Sequence, residues 1–120
     1  RWSIKALAID GKCPVVEELL AWKRNSLADF KKIIKVMMIV GQMDRVRDEK
    51  HVKKSSNPAH DNVYEMRAHH NSARVMFFYS EREACVVVCT NTYWKNKDSR
   101  REQDRAFALG DYLKRLYEQA

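Results

Sequence analysis

The stretch "VYEMRAHHNSARVMFFYS", residues 63–80, decides the fold. Side chains of a strand alternate between faces with period two, so Tyr64, Met66 and Ala68 share one face while Glu65, Arg67 and His69 share the other. A turn around Asn71 and Ser72 leads into the apolar run Ala73 to Tyr79, and the whole reads as a β-hairpin whose turn lacks the Gly of the strongest hairpin signals. One face of this hairpin is built to pack. The other carries a carboxylate, a guanidinium and an imidazole.

Downstream, "ACVVVCTNTYW" is β-branched and continuously apolar through Cys89, the pattern of a central strand covered on both faces. "SRRE", Ser99 to Glu102, is a capping-box pattern opening a helix whose Ala106, Leu109, Leu113 and Leu116 return to one face. Upstream, "RWSIKALAID" places Trp2, Ile4, Ala6 and Ala8 on one side of a first strand that breaks at Asp10-Gly11. Pro14 suits a first helical position, and Val15, Val16, Leu19, Leu20 and Trp22 follow at helical spacing. "SLAD" from Ser26 predicts a second capped helix with a stripe of Leu27, Phe30, Ile34 and Met37, ended by Gly41, so residues 13–41 read as a helical hairpin. Between Gln42 and Asn62 the chain is polar, with a short strand expected in "KHVKKS" and a loop at "SSNP". The order is strand, two helices, a run of three or four antiparallel strands and a last helix: an α+β arrangement with helices against one side of a sheet.

A chain of 120 residues fits one domain, 1–120, able to bury one core. Neither a bilayer-length apolar run nor a signal-peptide pattern is seen, so a cytoplasmic protein away from membranes is expected; without an initiator Met, a few leading residues are expected before Arg1. Cys13, Cys85 and Cys89 cannot all pair. Cys85 and Cys89 would lie roughly 13 Å apart along a strand, out of disulfide reach, and no C-x-x-C pair suggests zinc, so all three are read as buried small hydrophobes. The formal net charge of +7 favours a polyanionic partner. Five basic residues against two acidic ones fall in Arg45 to Lys54, and five against three in Tyr93 to Arg105.

The order of elements, "VYEMRAHHNSARVMFFY" and "TYWKNKDSRREQDRA" together resemble the RelE/HigB-like toxins of bacterial and phage toxin-antitoxin modules, of the RelE/ParE superfamily. The family's Y-E-h-R segment, with h hydrophobic, corresponds to Tyr64 to Arg67, its following Arg and strand to Arg74 to Phe78, and its aromatic-plus-lysine segment to Tyr93, Trp94, Lys95 and Lys97. Its acidic residue four before an Ala corresponds to Glu102 and Ala106, and its basic segment to "KHVKK" with Lys53 and Lys54. "WSI...IDGKCPVVEELL" looks like the start of HigB-type members. The resemblance implies an antiparallel four-stranded sheet carrying an N-terminal helical hairpin and a C-terminal helix, with a concave basic surface. It also implies a toxin that cleaves ribosome-associated mRNA and is held in check by a cognate antitoxin, expected to be of helix-turn-helix type.

Metal-free RNA cleavage by the neighbouring 2′-hydroxyl needs a proton acceptor, a proton donor and cations against the charge of the phosphorane, and calls for no cofactor or metal. Arg67 and Arg74 are candidates for stabilising the transition state, Lys53 or Lys54 for phosphate binding or proton acceptance, and His69 for acid or base work. Tyr93, Trp94, Lys95 and Lys97 are candidates for RNA binding, the aromatics by stacking on a base. Each has a competitor. Arg74 could pair with Glu65 across the hairpin, Tyr64 and Phe77 read as packing, and His51, His60 and His70 read as surface residues. Many catalytic members of the family carry Arg where this chain has His69, and several use a Tyr or His near the C-terminus, where Tyr112 and Tyr117 here read as structural. Two further functions therefore stand beside the endoribonuclease: a non-catalytic protein of the same fold that inhibits a host protein by binding, and a plain RNA-binding module.

Overall fold

The computed structural model describes residues 1–45, 50–68, 70–96 and 100–120. Its elements are β1 (Ser3–Ala6), α1 (Pro14–Asn25), α2 (Leu27–Gln42), β2 (Val52–Lys54), a 3₁₀ turn (Pro58–His60), β3 (Tyr64–Met66), β4 (Ala73–Tyr79), β5 (Val86–Trp94) and α3 (Arg100–Gln119). The expected strand in "KHVKKS" is β2. The expected hairpin is β3 and β4, antiparallel with Tyr64 opposite Phe77 and Met66 opposite Val75. Among the described residues, no helix is long and apolar enough to cross a membrane.

The sheet departs from four antiparallel strands. It has five, ordered β1-β5-β4-β3-β2, and β1 runs parallel to β5 while every other pair is antiparallel. Parallel neighbours need a long connection, and here the chain visits two helices and three strands before β5 returns beside β1. Ser3 N–H donates to the Cys85 carbonyl at 2.8 Å and Leu7 N–H to that of Cys89 at 2.9 Å, which closes the otherwise open edge of β5. Nor are α1 and α2 a hairpin with a loop. Ser26 alone joins them, fewer residues than the two to five of a helical hairpin.

The helices lie on both sides of the sheet, not one. Val15 and Trp22 of α1 and Ile33, Val36 and Val40 of α2 pack with Val75, Phe77, Tyr79, Val87 and Cys89. Ala106 and Phe107 of α3 pack with Val63 and Met76 on the opposite face. This is why all seven residues of β4 are buried. The apolar stripes are rotated accordingly. Val16, Leu20 and Leu27 are exposed, as are Leu109 and Leu116, while α3 buries Ala106, Phe107, Gly110, Asp111 and Leu113. Counting leucines misjudged α3 because its inner face has to cross a bulge. Met76 pairs with Asn91 but Phe77 with Cys89, so Thr90 is an extra residue on β5. A Cβ on Gly110 would stand 3.1 Å from Val63 Cγ1, 3.3 Å from Asn91 Oδ1 and 3.4 Å from Thr90 Oγ1. Close approach there is the reason for a glycine mid-helix, where it otherwise costs stability.

Local chemistry differs from expectation at two further places. Ser26 makes no side-chain cap. The Asp29 carboxylate instead accepts the Ser72 N–H at 3.2 Å, and the Asp29 carbonyl accepts Asn71 Nδ2 at 3.4 Å, tying α2 to the β3-β4 turn. Ser26→Ala is therefore expected to leave stability within about 0.5 kcal/mol of wild type. Asp29→Ala should cost about 1 kcal/mol for the lost hydrogen bond; urea unfolding of both variants checks the pair. The cysteines also divide: Cys89 is buried, its thiol pushed up to about 12 chiefly by burial, whereas Cys13 is half-buried and Cys85 is exposed in a turn with φ +58°. The "SRRE" cap begins at Ser99, which lies outside the described residues.

Candidate functional site

The face of the sheet beneath α3 holds the polar half of the hairpin. In the β2-β3-β4-β5 ladder Lys53 stands opposite Glu65, Glu65 opposite Met76, and Arg74 opposite Tyr93. Side chains of directly opposed residues share a face, so Lys53, Glu65, Arg74 and Tyr93 all rise toward α3.

Glu65 is the centre of this group and is 0% exposed, and Arg74 beside it is 6% exposed. The Arg74 guanidinium Nε lies 3.9 Å from Glu65 Oε2. Its Nη1 donates to the carbonyls of Asn71 and Ala73, the latter at 3.1 Å. The Tyr93 hydroxyl donates to Glu65 Oε1. Gln103, from the first turns of α3, donates its Nε2 to both Glu65 oxygens at 3.2 and 3.4 Å, and its Oε1 accepts from Lys53 Nζ at 3.3 Å. Burial lowers the Arg74 pKa from its ordinary value and nearby Arg67 adds to this, while Glu65 and Tyr93 oppose it. Burial, and then the hydrogen bond to Glu65, raises the Tyr93 phenol well above its ordinary value. A buried ion pair survives only when its remaining lone pairs and protons are satisfied, and Tyr93 and Gln103 do that for the carboxylate.

In front of this group a cleft of about 530 Å³ opens between the β2-to-3₁₀ segment and the start of α3. Its lining includes Lys53, Ser55, Ser56 and Asn57 on one side and Arg100, Gln103 and Asp104 on the other, with His60 and Phe107 completing it. Gln103 is the shared wall: one end holds the buried carboxylate and the other a lysine that faces the opening. Two cations, two hydroxyls and two amides around an open cavity, beside the single carboxylate of Asp104, suit a phosphodiester, which takes charge-assisted hydrogen bonds from several donors at once.

The expected site residues are distributed unevenly over this geometry. Lys53 lines the cleft. Lys54 stands opposite Tyr64 on the other face of the sheet, exposed, with Nζ 3.2 Å from Asp61 Oδ1. Arg67 continues the β3 ladder by donating its N–H to the His51 carbonyl at 2.8 Å and lies close enough to Arg74 to act on its charge. Arg74 and Tyr93 belong to the buried group, where the Glu65 partnership weighed against Arg74 as an RNA contact is present. Trp94 points away from Tyr93, toward α1, with its ring 6.1 Å from that of Trp22. Lys95 is exposed and donates its N–H to the Ser72 carbonyl at 2.8 Å. His69 and Lys97 lie outside the described residues. Gln103 and Arg100 carry no expectation as site residues, and His60, expected at the surface, lines the cleft. A signal for Gln103 existed: it stands three and four residues before Ala106 and Phe107, on the same helical face.

The family model described as Phage derived protein Gp49-like (DUF891) matches residues 17–110. That span runs from α1 to Gly110 of α3 and includes every residue of the buried group and of the cleft lining. No curated protein matches the chain.

Proposed function

Because the chain belongs to the Gp49-like family of phage-derived proteins, within the RelE/HigB-like toxin superfamily, we propose that it is a toxin that cleaves ribosome-bound mRNA by metal-independent attack of the 2′-hydroxyl. Membership associates it with toxin-antitoxin toxins and with an antitoxin partner. The finer reading, an endoribonuclease, is carried by one observation: the cleft where Lys53 and Arg100 face each other across a cavity bordered by hydroxyl and amide groups.

In this reading Lys53 and Arg100 hold the scissile phosphate, and Arg67 adds charge from the same face. The Glu65-Arg74-Tyr93-Gln103 group acts from behind, fixing Gln103 and through it the Lys53 ammonium. Lys54 and His69 stay candidates for proton transfer. Lys95, Lys97 and Trp94 stay candidates for the RNA path away from the cleft, and the antitoxin is of helix-turn-helix type.

One observation favours a second reading. Arg74 is buried against Glu65, so the guanidinium expected to meet phosphate is already partnered, as it would be in a protein that keeps the fold and inhibits a host factor by binding. Primer extension on a translated message separates the two. New 5′ ends that appear on expression of the chain and require translation support the nuclease; growth arrest with every message intact supports the binding inhibitor.

A further inference from the structure

His60, read from the sequence as a surface residue, lines the cleft beside a buried carboxylate. Its Nδ1 lies 3.2 Å from Asp111 Oδ2, and the two side chains are 22% and 7% exposed. Asp111 projects from the inner face of α3, one turn beyond Phe107, and its other neighbours are Lys114, at 3.6 Å to Oδ1, and Arg115, at 3.0 Å to Oδ2. A carboxylate buried on a helix is costly unless it is paired, and here three basic groups surround it. The neighbouring backbone is fixed without the imidazole. Arg115 Nη2 donates to the Ala59 carbonyl at 3.3 Å and Lys114 Nζ to that of Asp61, while Asn57 Oδ1 caps the turn by accepting the Ala59 N–H at 2.9 Å. The 3₁₀ turn is thus clamped on both sides of His60 through main-chain atoms, and the ring is free for another task.

We propose that His60 is the general base of RNA cleavage in this cleft and that Asp111 is its positioning residue, an assignment that rests on the nuclease reading above. Nδ1 is buried 3.2 Å from Asp111 Oδ2 without a hydrogen-bond partner, so the proposal pairs it with that carboxylate and gives Nε2 to the cavity that Lys53 and Arg100 line. Nε2 takes the proton of the 2′-hydroxyl as that oxygen bonds to phosphorus. The P–O5′ bond breaks with its electron pair on O5′, which takes a proton from the Lys53 ammonium or from water. The products are a 2′,3′-cyclic phosphate and a 5′-hydroxyl, and His60 then returns its proton to solvent, so the protons balance. Asp111 holds the ring and stabilises the imidazolium that forms. Other charges lie around His60 as well: Lys114 and Arg115 beside Asp111, Lys53, Arg100 and Asp104 in the cleft lining, and Asp61 next in the chain. Asp111 is the carboxylate 3.2 Å from His60 Nδ1.

The test is the pH profile of cleavage of a translated message by wild type, His60→Gln and Asp111→Asn, with thermal melting and RNA binding measured on each. The expected results are a wild-type rate that rises with pH to a plateau, and a His60→Gln rate lower by about 10²-fold or more with that limb gone. Melting and RNA binding should be unchanged, which a structural role for the ring would not give. Asp111→Asn, which removes the charge opposite the ring, should lower the rate with RNA binding unchanged. A His60→Gln chain that is folded and keeps the wild-type rate and limb overturns the assignment but leaves the nuclease reading standing. If His60→Gln does not fold, a folded Asp111→Asn chain that keeps the wild-type rate overturns it. A wild-type chain that leaves the message intact overturns both.

Discussion

Glu65→Ala is expected to destabilise the fold by about 3–5 kcal/mol, the cost of leaving a buried guanidinium without its carboxylate. Glu65 has no exposed surface and Arg74 very little, so water cannot replace the lost partner. The substitution also strips the Tyr93 hydroxyl and Gln103 Nε2 of their acceptor. Urea unfolding should show a lower midpoint at an unchanged slope. The pair should be strongly coupled: once Glu65 is Leu, Arg74→Met should cost much less than in the wild type, with a coupling energy of about 1–3 kcal/mol. A loss below about 1 kcal/mol for Glu65→Ala would show that the pair behaves as an exposed one. The result bears on function. Any loss of toxicity on replacing Arg74 must be compared with the folded fraction before it is read as lost catalysis.

In the proposed nuclease, Lys53→Ala should lower the cleavage rate by about 10²–10³-fold, as removal of one preorganised donor to a developing charge does elsewhere. Lys54→Ala tests the other candidate lysine, and a reaction confined to this cleft leaves its rate near wild type. The two lysines are adjacent in sequence but opposite in direction: Lys53 lies beside Glu65 and lines the cleft, whereas Lys54 lies beside Tyr64 and pairs with Asp61. Neither change should alter stability much, since the Lys53-Gln103 bond is only half-buried and the Lys54-Asp61 pair is solvated. Rates on a translated message, with circular dichroism to confirm the fold, give the comparison. The reverse order, with Lys54→Ala inactive and Lys53→Ala normal, would move the reaction to the α1-α2 face and leave the cleft without a role.

The elements that were legible from the sequence are those governed by local rules. Pro14 opened a helix because its missing N–H needs no partner there, the run from Val86 to Cys89 could only be a covered strand, and the 63–80 hairpin followed from period-two alternation. Misreadings cluster where a side chain had two possible partners. Asp29 was assigned to cap its own helix and instead bonds Ser72. Leu109 and Leu116 were assigned to the core, yet α3 turns Gly110 and Asp111 inward because the Thr90 bulge and His60 lie beneath it. Cys85 was assigned to a strand that starts one residue later.

By itself the sequence determined the order and kind of most elements and the sign of the charge, since each depends on composition or on neighbours a few residues away. Tertiary structure alone decided that α3 lies on the opposite face from α1 and α2, that Glu65 and Arg74 are interior, and that Lys53, His60 and Gln103 meet at one cleft. These residues are separated by up to 50 positions along the chain, and what a polar side chain does is set by which partner reaches it once water has been excluded. No periodicity carries that information, because the free energy of a buried charge depends on groups that only the packed chain brings within a few ångströms.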